Sequence, residues 1–431
     1  MTSYEPSRRH FLHIATAAGG MAAAWNCSQA LAQRRPAGTG ADRDVLTASQ
    51  NQHSREGKMN IARLEAIALT ATIDLEQVKL KALSQASQRQ AILVRLTDDE
   101  GRVGESFSLL WGANSAEVIA RINLLQQLVV GTPAFLTEEL WSRMFDAART
   151  SGWSRPIAMR AVSIVDCAIW DLRGKQLGQP LYKIWGAHRT KLPMVIMDSQ
   201  WHPSESLESV TARAQRYKAE GYAGLKMKVG ASSPLGPEAD ADRMLAVRKA
   251  VGPDFRLFAD ANQGWTIDDA KTFADRCTDA DLTWFEEPCL WNDDKKSLAR
   301  FRNISSVPIA AGQMEISAEA CRDLMSAGSI DICNLDANIG GGATAWRRVA
   351  HMAQNFGISV VTHMDPQVGG HLAASVSNGV HVETYEPAAD PFYFEMVQNR
   401  SLPQDGWVTL GDEPGWGWRL NPDFIARHRV N

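Results

Sequence analysis

Residues 255–288 read FRLFADANQGWTIDDAKTFADRCTDADLTWFEEP. Two apolar runs, Phe255–Asp260 and Leu282–Glu286, each close on an acid, and an amphipathic helix fits between them. Short apolar runs of this kind suit strands buried on both faces. The alternation holds from Pro193 onward, with further strand candidates at Met194–Asp198, Gly224–Val229, Val307–Gln313, Asp331–Asp336, Ile358–His363 and Val380–Tyr385. Leu207, Val210, Ala214 and Tyr217 mark one face of the first intervening helix, with Ser204 as its expected start and Gly221 as its stop. Strands alternating with helices in this way predict an α/β fold, a closed parallel barrel of the (β/α)8 type. An open doubly wound sheet is the alternative, but no G-x-G-x-x-G follows an early strand.

Upstream of the barrel the pattern differs. From Ile61 to about Leu96, apolar runs broken by polar residues predict an antiparallel sheet. Helical patterns follow at Ser115–Val130 and Thr137–Arg149. A long buried helix is expected from about Ile157 to Leu177, with Gly178 and Pro180 ending it. Sheet followed by helices indicates a separate α+β unit, residues 61–190, capping a barrel of residues 191–395. The segment 396–431 contains Pro414-Gly415-Trp416-Gly417-Trp418 and is expected to return to that cap.

The N-terminus carries a different kind of signal. Ser7-Arg8-Arg9-His10-Phe11-Leu12 precedes a weakly apolar stretch from Ile14 to Trp25, and Ala30-Leu31-Ala32 offers a cleavage site. That order predicts a signal peptide of the twin-arginine type over residues 1–32, a linker over 33–60, and a periplasmic location. The apolar stretch is too short to span a membrane as a mature helix. The chain as a whole is ordinary for a globular protein: 431 residues, 45% hydrophobic, with a formal net charge of −4. No basic run is present, which argues against a nucleic-acid partner. The 6 cysteines form no C-x-x-C pair, so no zinc or redox motif is visible, and packing is their expected role.

In a barrel the reactive groups stand at the C-terminal strand ends. Read in order, those ends carry Lys226 and Lys228, Asp260, Glu286 with Glu287, Gln313 with Glu315, Asp336, His363 and Glu383. Buried charges are costly unless paired or metal-bound, so a series of them after apolar runs points to a site. Strand alternation puts Lys226 and Lys228 on one face, where each disfavours the other's charge, so that one could serve as a base. Two solvated lysines at a strand edge are the plainer reading of that pair alone. Asp260 and Glu286 are hard oxygen donors on neighbouring strands and suit Mg²⁺, with Mn²⁺ as the variant. Asp336 stands one strand before His363 at the same level, where it would set the imidazole tautomer.

These residues resemble the enolase superfamily, and its mandelate racemase subgroup in particular. The resemblance runs from about Ile61 to Arg419 and includes Asp166-Cys167-Ala168-Ile169-Trp170-Asp171-Leu172, the Lys226/Lys228 pair, Trp284-Phe285-Glu286-Glu287-Pro288, Asp336 and His363. It implies a modified TIM barrel under an α+β capping domain built from the N-terminal region and the C-terminal tail. It implies Lys228 as one base with Lys226 assisting, Asp260 and Glu286 as metal ligands, and His363 with Asp336 as the acid or base of the opposite face. Glu383 would donate to the enediolate; a Lys or His base beside Mg²⁺ is a known property of that superfamily. The third ligand departs from the pattern: the usual acid after the strand-five glycine is Gln313 here, with Glu315 two residues on, and either fits the role. The implied reaction is proton abstraction beside a carboxylate, foremost acid-sugar dehydration by a lyase. Racemisation, epimerisation or cycloisomerisation on the same groups is the alternative, and a non-catalytic periplasmic acid-sugar binder is the reading of another class. The implied partners are a small-molecule carboxylate and copies of the same chain, in an even-numbered homo-oligomer from dimer to octamer. Phe107–Asn114, with Trp111 and Gly112, is the expected specificity loop.

Overall fold

A computed structural model describes residues 59–72, 88–110, 113–150, 154–198, 205–233 and 235–430. The expected signal peptide, nearly all of the linker, Cys27, Ser204, Trp111 and Gly112 lie outside the described residues.

The first unit opens with three antiparallel strands, β1 (Ile61–Thr72), β2 (Gln88–Asp98) and β3 (Val103–Leu109), in the order β1-β2-β3. Phe107–Leu109, read from the sequence as part of a loop, instead completes β3, in continuous register with Ala91–Leu93 of β2. Helices α1 (Ser115–Val129), α2 (Thr137–Thr150) and α3 (Arg155–Leu177) follow. The α3 helix carries Pro156 in its first turn and stops at Gly178, which takes a left-handed φ of 63°. It is buried along nearly its whole length and packs on the sheet through Val162, Ile164, Val165, Ala168, Ile169 and Leu172.

The second unit is a parallel barrel. Its strands are β4 (Lys191–Asp198), β5 (Gly224–Lys228), β6 (Arg256–Asp260), β7 (Leu282–Glu286), β8 (Ile309–Ala311), β9 (Ile332–Cys333), β10 (Ser359–Val360) and β11 (Val382–Tyr385). Each pairs in parallel with the next, and β11 returns to β4. The last seam, between β10 and β11, is thin: a single bridge joins Val360 to Gly379, with the N–H of Val380 donating to the carbonyl of Val360 at 3.2 Å. The barrel is therefore closed, as the alternation predicted. Connecting helices are α4 (Leu207–Ala219), α5 (Pro237–Val251), α6 (Ile267–Arg276), α7 (Asp294–Arg302), α8 (Ala318–Ser326), α9 (Gly342–Asn355) and α10 (Pro366–Ser375). The α4 helix is capped by Ser206, whose side chain accepts from the N–H of Ser209.

Among the described residues no barrel helix follows β11. The chain instead adds β12 (Trp407–Thr409) antiparallel to β4 and ends in α11 (Pro422–His428). Between them Trp416 is fully buried; its backbone N–H donates to Asp171 (2.8 Å) and its indole to the carbonyl of Cys167 (2.9 Å). Val430 N–H then bonds Ala68 of β1 at 2.9 Å. Val195, Phe258, Trp284, Ala310, Ile332 and Val361 fill the barrel interior as an apolar floor. The described cysteines are all free and buried. Among the described residues no helix is long and apolar enough to cross a membrane.

Candidate active site

The charged strand ends stand on that apolar floor. Register aligns Lys228 with Asp260 and Asp260 with Glu286, so three neighbouring strands deliver their side chains to one level. Both lysines are buried, Lys226 at 1% exposure and Lys228 at 8%, which rules out a solvated strand edge. Lys226 Nζ contacts both oxygens of Glu286 (3.0 and 2.9 Å) and Oε1 of Glu383 (2.7 Å). Lys228 Nζ contacts Asp260 Oδ2. The sequence suggested that the two lysines would depress each other's basicity. For Lys226 the opposite holds: burial works against its charge, but Glu286 and Glu383 raise its pKa above the ordinary value.

The acids outnumber these cations. Asp260, Glu286 and Glu383 are all fully buried. Lys228 holds Asp260 below its ordinary value against the pull of burial, and Lys226 does the same for Glu383. Burial and the nearby Asp260 push Glu286 well above the carboxylate range, a sign that the negative charge is not fully compensated. Glu287 is buried too; burial, then Asp260, push it up to about 8. It accepts from the side-chain amides of Gln313 (2.7 Å) and Gln263 (3.2 Å).

A hard divalent cation fits this set. Asp260 and Glu286 offer oxygen donors, and the missing positive charge is what such an ion supplies. Gln313 is buried beside them, and because its Nε2 is bound to Glu287, its Oε1 is turned away from that acid. Glu315, the other candidate, is only half-buried, and the Cys321 thiol of α8 feels its charge. Among the described residues no three His, Cys, Asp or Glu side chains stand together as a metal cage. Lysines hold the two acids, Lys226 on Glu286 and Lys228 on Asp260.

Across the mouth, His363 Nδ1 lies 3.2 Å from Asp336 Oδ2, and the other Asp336 oxygen accepts from the N–H of Asn338 at 2.7 Å. Neither residue lies within a strand; β9 and β10 end three residues earlier, so loops carry this half of the site. The loop after His363 is unusual, with Met364 and Asp365 both at positive φ (56° and 48°). Met364 N–H reaches Glu383 Oε2 at 3.2 Å. Glu383, which the resemblance makes a donor, thus accepts bonds here, because an ammonium stands against it. Beneath it His381 stacks on Trp284 at 4.8 Å, and the Trp284 indole donates to Glu286 at 3.2 Å.

The sequence reading missed Asn338, Asp365, Asp390 and Arg160, which surround the Asp336 side of the mouth. Arg160 did leave a trace, as one of three buried charges, with Asp166 and Asp171, on the otherwise apolar α3. The other three sit on loops, where no periodicity reports on burial.

Comparison with known proteins came to the same fold. Residues 209–424 match the family model "Enolase C-terminal domain-like", and residues 67–186 match "Mandelate racemase / muconate lactonizing enzyme, N-terminal domain". The structure resembles a mandelate racemase/muconate lactonizing enzyme from a marine actinobacterium, crystallised in complex with magnesium. The two share 36% identity at a TM-score of 0.79, over 86% of this chain and 99% of that one. A racemase from Streptomyces coelicolor with bound magnesium is 26% identical at a TM-score of 0.76, over 86% and 100% of the chains. The D-galactarolactone cycloisomerase of Agrobacterium fabrum is 29% identical over 80% of this chain and 92% of its own length. The arabinonate dehydratase of Saccharolobus solfataricus is 27% identical over 79% and 91%.

Proposed function

From the premise that this chain belongs to the enolase superfamily, in its mandelate racemase/muconate lactonizing enzyme family, we propose that it dehydrates an acid sugar to a 2-keto-3-deoxy acid, with Mg²⁺ as cofactor. One observation carries the reading: a lysine paired with an acid, Lys228 with Asp260, and a histidine paired with an acid, His363 with Asp336, stand at the C-terminal strand ends of one barrel. A cation held by Asp260, Glu286 and Gln313 would supply charge stabilisation at the substrate carboxylate. Lys228 removes the proton beside that carboxylate. Lys226 faces the charge that develops there as a fixed donor, and Glu383 holds its ammonium in place. His363, oriented by Asp336, protonates the departing β-hydroxyl.

The same groups support a second reading, isomerisation, which the cycloisomerase relative favours. Incubation with acid sugars and Mg²⁺ in D₂O, followed by NMR, separates the two. Dehydration gives a 2-keto-3-deoxy product, while isomerisation gives α-deuteration without loss of water. A binding protein gives neither, and that result would sink the enzymatic reading. Full activity in both Lys228→Ala and His363→Ala would show that the chemistry lies elsewhere.

The proposal includes export to the periplasm by the twin-arginine route. Fractionation should find the protein there with Gln33 as its first residue, and Arg8→Lys with Arg9→Lys should hold it in the cytoplasm. An intact Met1 start in the cytoplasmic fraction of the unaltered protein contradicts it.

A further inference from the structure

Behind the His363–Asp336 pair lies a cavity of about 370 Å³, partly open to solvent. Strand β3 of the cap forms one wall, through Phe107, Ser108 and Leu109; Asp336, Asn338, Asp365 and Asp390 line the barrel side.

The chemistry of the lining is specific. Asn338 is 7% exposed, and its Nδ2 donates to Asp365 Oδ2 at 3.0 Å. In that orientation the amide nitrogen is the donor. Asn338 Oδ1 is then left buried with no hydrogen-bond partner. A buried acceptor in that state calls for a donor. Asp365 and Asp390 add further acceptor oxygens. Burial pushes their carboxyls up to about 7 and about 6, so near neutral pH each can also donate. Arg160 reaches the cap wall, but its guanidinium is engaged with the Leu109 carbonyl (2.8 Å) and Ser108 Oγ (3.4 Å). The lining offers a second carboxylate no cation, and its carboxyl groups and orphan amide oxygen fit hydroxyl groups, which both donate and accept.

We propose that this cavity is the subsite for the uncharged hydroxylated tail of the substrate, so that the site takes aldonic acids, with one carboxylate, in preference to aldaric acids, with two. The inference rests on the acid-sugar reading above and narrows it. A buried water offers the same donor chemistry as a sugar hydroxyl, and the substrate series tells them apart.

The test uses the full exported chain with Mg²⁺ and three matched probes: D-galactonate and D-gluconate, their 6-deoxy forms, and galactarate and glucarate. The expected result is kcat/KM about tenfold lower for the 6-deoxy acids, the loss of one buried hydrogen bond, and lower again for the diacids. In Asn338→Leu the ratio between full and 6-deoxy substrate should collapse toward one, through KM, while Asn338→Asp, which keeps an acceptor, should retain part of it. Diacids turned over as well as monoacids would overturn the proposal, as would an equal rate with and without the terminal hydroxyl, the outcome expected if only water fills the cavity. Should Asn338→Leu fail to fold, the substrate ratios of the unaltered protein still decide. Absence of α-proton exchange with every acid would instead remove the acid-sugar reading itself.

Discussion

At the scale of single residues, Gln313 shows how a neutral side chain can hold a place among acids. Its amide bonds to Glu287, and a carboxylate in its position would face that acid directly. Gln313→Glu should therefore destabilise the metal-free protein by roughly 1–3 kcal/mol, as an acceptor loses its donor and gains a like neighbour. With Mg²⁺ added, the added ligand charge should reverse the order, giving the variant a larger rise in Tm than the unaltered protein. Thermal melts with and without Mg²⁺ check both halves. Asp365 carries a second residue-level consequence. Its carboxyl, at about 7 when folded against an ordinary 3.8, keeps its proton where the unfolded chain has lost it. The sign follows from linkage: its contribution is greatest below about pH 4 and fades as pH rises toward 7. Asp365→Asn stays neutral throughout, and asparagine can still cap α10 as Asp365 does through Val368 N–H. Urea unfolding across that range should show the unaltered protein losing up to about 4 kcal/mol relative to the variant, because each tenfold change in proton affinity is worth about 1.4 kcal/mol. A flat difference would mean Asp365 is ionised in the folded state.

At the scale of elements, α3 acts as the fastening between the cap, the barrel and the tail. Asp166 accepts from the N–H (2.9 Å) and hydroxyl (2.7 Å) of Thr344 in α9, and Asp171 accepts from Glu105 N–H of β3 (2.7 Å) and from Trp416 N–H. The approach of α9 to α3 depends on Gly342, at φ +82°, where an added Cβ would lie 2.3 Å from Asp166 Oδ2. Gly342→Ala combines a strained backbone with that collision and should cost more than about 2 kcal/mol. Chemical denaturation measures it, and a change under about 0.5 kcal/mol would show that the contact relaxes freely. The sequence had already marked Asp166 and Asp171 through the family motif, though not what they grip. A charge on a buried helix is visible as an oddity, while its partners, 66 to 245 residues away, are not.

At the scale of the whole molecule, the barrel and the order of its charged ends were legible because parallel strands impose a regular beat of apolar run, acid and helix. Lys226, Lys228, Asp260 and Glu286 lie within strands, where alternation dictates which way a side chain points. Gln313, Asp336 and His363 lie beyond the strand ends, and the cavity behind them is lined from both units, so it has no single stretch of sequence to be read from. The seam between β10 and β11 has a bearing on motion. It holds one bridge, with two backbone bonds, from Val360 N–H to Asn378 and from Val380 N–H to Val360, where every other junction has at least two paired residues. Amide hydrogen exchange should accordingly be faster at Val360 and Val380, whose N–H groups bond across this seam, than at Ser359 and Val361, whose N–H groups bond the β9 side. His363 hangs on one lip of this seam and Glu383 on the other, so a transient parting of the two strands would widen the gap between the acid of one face and the carboxylate at the centre. The join with a single bridge is thereby the one that separates two of the candidate reacting groups.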